Sequence, residues 1–152
     1  MKRVLMLLSI GITILSLSQA VYAGDKLVII ANKANQVSKL TMREIKRLYE
    51  NDELTWSNGD PVNLYDLPIT DPARQKFSQM VLGKDAEKVV AEWASKKITN
   101  TAQNPPVVVK SVALIQERVS KEPNAIGYLL IKSGFLETIN NKVKIRYWIK
   151  NC

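Results

Sequence analysis

The chain has 152 residues, with 22 Lys and Arg against 14 Asp and Glu, no His and one Cys, for a net charge of +8 at pH 7. The missing histidine removes the commonest general base and metal ligand. A single cysteine, Cys152, excludes an internal disulfide and a Cys/His metal cluster.

Lys2 and Arg3 form a positive start, Val4 to Leu17 is an apolar run, and Val21-Tyr22-Ala23 fits small-x-small cleavage before Gly24. Ser18-Gln19-Ala20 is a second cleavage candidate. The reading is a cleavable signal peptide over 1–23 and one domain over 24–152, placed in the periplasm after transport across the inner membrane. The apolar run is shorter than the roughly 20 residues a spanning helix needs, and no cysteine follows it to carry a lipid, so no membrane anchor is expected. Cleavage leaves 129 of the 152 residues and, since 1–23 holds no acid, lowers the charge from +8 to +6. Lys and Arg are spread rather than clustered, which reads as a solvated basic surface. Export argues against nucleic acid as a partner. Cys152 stands free, capped or paired with a second chain.

Lys26 to Ala31 reads as a buried strand, and Asn32 to Lys39 as a polar loop. Thr41 and Glu44 make a capping box opening a helix over Thr41 to Glu50, with Met42, Ile45, Leu48 and Tyr49 on its apolar face. Trp56 precedes the turn cluster Ser57 to Pro61, and Val62 to Tyr65 is the second strand. Asp71-Pro72 opens a helix with Phe77, Met80 and Val81 inward and Gly83 as its stop. Asp85 caps a third helix facing the core with Val89, Val90 and Trp93. Asn104-Pro105-Pro106 breaks the chain, Val109 to Val119 is helical with Val112, Ala113, Ile115 and Val119 inward, and Ala125 to Ile131 and Val143 to Ile149 are strands. Alternating strands and helices imply a layered α/β fold with a partly parallel sheet.

No nucleophile elbow, zinc-protease, P-loop or dinucleotide fingerprint occurs. The pair Asp52/Glu53 lies in a polar, turn-rich stretch and reads as solvated. No catalytic residue, cofactor or metal is expected, and the chain reads as a binding or interaction protein rather than an enzyme. The candidate ligand site is Thr70-Asp71-Pro72-Ala73-Arg74 at a strand-to-helix junction, where helix N–H groups favour an anion and Thr70, the amides near Ala73 and Arg74 add donors. The competing reading is an ordinary Asp71-Pro72 cap with an exposed Arg74.

Asn32-x-x-Asn35-x-Val37-Ser38-x-Leu40, the helix ending near Leu48-Tyr49-Glu50-Asn51, and Trp56 before a turn resemble the substrate-binding proteins of phosphate ABC transporters. Arg74-x-x-Phe77, Val81-Leu82-Gly83, Trp93 with Ile98-Thr99-Asn100, and Pro123-Asn124-Ala125-Ile126-Gly127-Tyr128 extend the resemblance over nearly all of 24–152. A glycine usual in the family is replaced around Asn51. The resemblance implies a single-lobe, type 2 periplasmic-binding-protein-like domain with a mixed sheet flanked by helices. It also implies a small anion such as phosphate as ligand, held by Thr70, Asp71, Ala73 and Arg74, and an ABC permease as partner. The phosphate motif departs, however. Asp71, Pro72 and Ala73 stand where the family has Ser-Gly-Thr, and Leu67 stands where it has a phosphate-pairing Arg. Two other readings stay open: an interaction module docking on an envelope protein complex, and a homodimer in which two chains supply the two lobes.

Overall fold

A computed structural model describes residues 25–131 and 141–149; the signal-peptide reading over 1–23 and Cys152 lie outside them. Five strands form one mixed sheet: β1 (Lys26–Asn32), β2 (Asn63–Asp66), β3 (Val107–Val108), β4 (Ala125–Ile131) and β5 (Val143–Ile149), in the order β3-β2-β4-β1-β5. Strand β2 runs parallel to β3 and β4, while β1 is antiparallel to β4 and β5. The helices are α1 (Met42–Tyr49), α2 (Pro72–Phe77), α3 (Ala86–Ile98) and α4 (Val112–Lys121), and a π-helical turn, Ser78–Leu82, continues α2.

Helices cover both faces of the sheet, and neighbouring residues of β4 show how. Tyr128 stacks on Phe77 of α2 at 4.1 Å between ring centroids, with Tyr49 of α1 set edge-on 4.7 Å from Phe77. Gly127 faces the other way, and a Cβ built there would lie 2.4 Å from Ile115 Cγ2 of α4. A strand covered on both faces carries a continuous apolar run instead of alternation. Leu27, Val28, Ile29 and Ile30 of β1 accordingly have no exposed surface.

The capping box at Thr41/Glu44 forms as the sequence indicates, with Thr41 Oγ1 accepting from Glu44 N–H and Glu44 Oε2 accepting from Thr41 N–H. The Thr41 hydroxyl also donates to Glu44 Oε2 at 2.7 Å, and that bond, together with the one from Thr41 N–H, holds the Glu44 carboxyl below its ordinary value. Gly83 ends the π-turn at φ +69°, a left-handed conformation that glycine adopts without steric cost.

Several expectations are corrected. The strand β3 falls where the sequence suggested only a break; after Pro105-Pro106 two valines pair with Tyr65 and Asp66, and the helix starts at Val112, capped by Ser111, rather than at Val109. Two residues are too few to show a period. Ala113, expected inward, is exposed, and so is Val90 on α3. Asp85 sits at the N-cap of α3 without a side-chain capping bond. In the π-turn Ser78 is fully buried while Met80 is only half-buried, because the extra residue in a π-turn rotates the α-helical face.

Candidate functional site

The loop motif after β1 holds the fold together. Asn32 Nδ2 donates to the carbonyls of Val119 (2.8 Å) and Ser120 (3.0 Å), and Asn35 Nδ2 to that of Pro123 (3.1 Å). Trp56 Nε1 donates to the Asn124 carbonyl at 3.0 Å, and Arg146 Nη2 to the Asn35 carbonyl at 2.6 Å. Asn32, Asn35 and Trp56 thus give hydrogen bonds to backbone carbonyls between the end of α4 and the start of β4.

The opposite end of β2 carries the charged site. Asp66, its last residue, takes Arg74 Nη1 on Oδ2 at 2.8 Å and its neighbour's N–H, from Leu67, on Oδ1 at 2.8 Å. The Tyr128 hydroxyl donates a short hydrogen bond to the same Oδ1. Asp66 and Arg74 are both buried, their side chains 5% and 3% exposed. Burial pushes the Asp66 carboxyl above its ordinary value, while Arg74, Tyr128 and the Leu67 amide pull against that rise. Burial next to Asp66 also raises the Tyr128 phenol far above its ordinary range.

Outside this pair a cleft of about 220 Å³ opens at the carboxyl ends of β2 and β3, the place where parallel α/β sheets take ligands. Asp66 and Arg74 line it together with Val90, Trp93, Ala94 and Lys97 of α3, and Pro105, Pro106 and Val108. One wall depends on Asn51. This residue stands at φ +71°, and its amide donates to the Thr101 carbonyl (3.0 Å) and accepts from the N–H groups of Gln103 (2.9 Å) and Asn104 (3.0 Å). That clamp sets the loop leading into Pro105-Pro106.

Of the four residues singled out in the sequence, only Arg74 lines the cleft. Thr70 is exposed ahead of α2, and Asp71 Oδ1 accepts from the N–H of Ala73 at 2.8 Å. The capping half of the competing reading thus describes Asp71, but its exposed Arg74 is corrected: the side chain turns inward to Asp66. Sequence reasoning missed Asp66, Lys97 and Tyr128. The one available signal was a carboxylate at the carboxyl end of a strand. Of the other carboxylates considered, Asp52 is exposed and Glu53 lies 3.7 Å from Arg47. Among the described residues no His/Cys/Asp/Glu cluster could hold a metal, and no helix is long and apolar enough to cross a membrane.

The fold matches solved structures over 80% of the chain. An ABC-type phosphate transport receptor from Vibrio cholerae matches with a TM-score of 0.59 at 18% identity, over 80% of this chain and 45% of that one. The fold is that of the phosphate-receptor structures. A protein from Clostridium perfringens, described as a phosphate ABC transporter substrate-binding protein with bound phosphate, matches at 0.60 and 21% identity over 80% and 44% of the two chains. PstS from Borrelia burgdorferi matches at 0.59 and 17% identity over 80% and 46%. This chain therefore spans less than half the length of these phosphate-receptor structures. No protein-family model and no curated protein matches the sequence.

Proposed function

We propose that this chain is an exported solute-binding protein of one lobe, whose cleft holds a small anion through Lys97 and the part of the Arg74 field that Asp66 leaves, and that it is not a tight phosphate receptor. The buried Asp66–Arg74 pair carries this reading. Arg74 supplies a cation to the cleft, but Asp66 stands 2.8 Å from it and cancels most of its field. An approaching dianion meets that carboxylate. At the head of α2, the Ala73 amide is already occupied by Asp71. A hydrogen bond to a charged group contributes about 1.5–3 kcal/mol, so a site short of several such donors binds phosphate more weakly by orders of magnitude. Calorimetry on the purified, processed protein tests the proposal. Expected is millimolar-range heat with at least one of phosphate, sulfate and small carboxylates, and no submicromolar phosphate binding. Silence with every anion overturns the site, and tight phosphate binding overturns its weakness. Mass spectrometry of the exported protein should find Gly24 at its amino terminus.

A second reading, docking on an envelope protein complex or permease, is favoured by the edge strand. Val107 and Val108 are 55% and 61% exposed, beside Val90 at 47%. Apolar residues on an unpaired edge invite another chain. A photo-crosslinking residue at position 107 should give one defined adduct in cells, and its absence would remove this reading.

A further inference from the structure

We infer that the ligand of the cleft is a small monoanion with an apolar body, a carboxylate carried on a short hydrocarbon or aromatic group, rather than an inorganic oxyanion. The inference rests on the anion-binding reading of the same site and names its ligand class. Six of the nine lining residues are apolar: Val90, Trp93, Ala94, Pro105, Pro106 and Val108. An inorganic oxyanion carries charge and hydrogen-bonding capacity in every direction and has nothing to place against such walls. An apolar body there removes surface of Val90 and Val108, both largely exposed, from water at roughly 25 cal/mol per Å².

The charges count the same way. The cleft holds one carboxylate, Asp66, against two cations, Arg74 and Lys97. The first two cancel at 2.8 Å, which leaves Lys97 at the rim, and among the described residues no carboxylate pairs with it. One ligand charge balances that residual cation; a second would sit unbalanced near Asp66. Size agrees as well, since about 220 Å³ is below the ~300–1,000 Å³ of pockets for drug-sized ligands. The indole of Trp93 is braced for contact: Lys96 Nζ lies 5.1 Å from its ring centroid and is itself held by the Glu50 carbonyl.

The experiment compares phenylacetate, acetate, phosphate and neutral 2-phenylethanol by calorimetry on the purified, processed protein. Phenylacetate should bind at least about tenfold more tightly than acetate and phosphate, the increment expected from burying one small apolar group, and more tightly than 2-phenylethanol, which has the ring but not the charge. Trp93→Ala should abolish the advantage of phenylacetate over acetate. Lys97→Gln, at an exposed position where folding is not at risk, should abolish its advantage over 2-phenylethanol. Circular dichroism melts confirm that both variants fold, and Trp93→Phe, which keeps an aromatic ring, should retain most of the affinity. Phosphate or acetate binding as tightly as phenylacetate overturns the ligand class and leaves the anion site standing. If 2-phenylethanol matches phenylacetate, or no compound binds, the anion site falls with it.

Discussion

The guanidinium of Arg74 lies 2.8 Å from Asp66 with both side chains almost fully buried, so each is the other's main compensation for leaving water. Removing one partner of such a pair typically costs about 3–5 kcal/mol, because the remaining charge stays buried alone. Arg74→Met and Asp66→Asn should each approach that cost in urea denaturation. The double variant should be more stable than the sum of the two losses predicts, and strict additivity would contradict the pairing. The Arg74→Met loss should also shrink in acid. Without Arg74 the Asp66 carboxyl is raised further above its unfolded value. The penalty of the buried carboxylate is present above the folded pKa and disappears as pH falls through it toward the unfolded value of about 3.9.

At Gly127 the sheet and α4 come too close for a side chain. A Cβ there would come within 2.4 Å of Ile115 Cγ2, an atom fixed directly to Cβ of a fully buried residue. Gly127→Ala should therefore cost about 1–3 kcal/mol, the usual range for overpacking. The cost should fall when Ile115→Ala removes the methyl in the way. An equal cost of Gly127→Ala in both backgrounds, measured by thermal or urea unfolding, would place the strain elsewhere.

The long strands and the capped helix α1 were legible in the sequence because each announces itself within a few residues. A run such as Leu27 to Ile30 has one physical explanation, and the Thr41/Glu44 spacing has another. The resemblance carried the architecture further, and the solved structures share it. The strand β3 and the π-turn were not legible. The first is two residues long, and the second adds one residue per turn to a pattern that still reads as a helix. The site was mostly hidden for a different reason: its hydrogen bonds are non-local. Asp66 meets Tyr128 across 62 positions, and the cleft wall is set by Asn51, whose side chain meets the Asn104 N–H across 53. Read locally, Arg74 is an ordinary helix-start cation. Only the position of Asp66 turns it inward.

Asn51 does two things at once. It holds φ at +71° and clamps the loop at Thr101, Gln103 and Asn104. Substitutions separate them. Asn51→Gly keeps the left-handed backbone and loses the clamp, so limited proteolysis should cut near 101–104 faster while the melting temperature falls only modestly. Asn51→Ala loses both, adding roughly 1 kcal/mol for a non-glycine residue forced left-handed. If the alanine variant is as stable as the glycine variant, the backbone conformation carries no cost there.

Tyr65 gives a pH dependence with a definite sign. Its hydroxyl donates to Glu122 Oε1 at 2.6 Å, and burial followed by that carboxylate pushes the phenol up to about 12. An unfolded tyrosine ionises near 10. Between those values the unfolded chain releases a proton that the folded chain keeps, so stability falls as pH rises from about 10 toward 12. Tyr65→Phe should unfold less steeply with alkali over that window. Since it removes a hydrogen bond to a charged group, it should cost on the order of 1.5–3 kcal/mol at neutral pH, and less where part of that bond is solvated. Phenolate absorbance on the folded protein should lose its step near pH 12 in the variant. If Tyr65→Phe leaves the alkaline limb of the stability curve unchanged, another group sets it, and the Tyr65–Glu122 bond has no part in holding β2 against the end of α4.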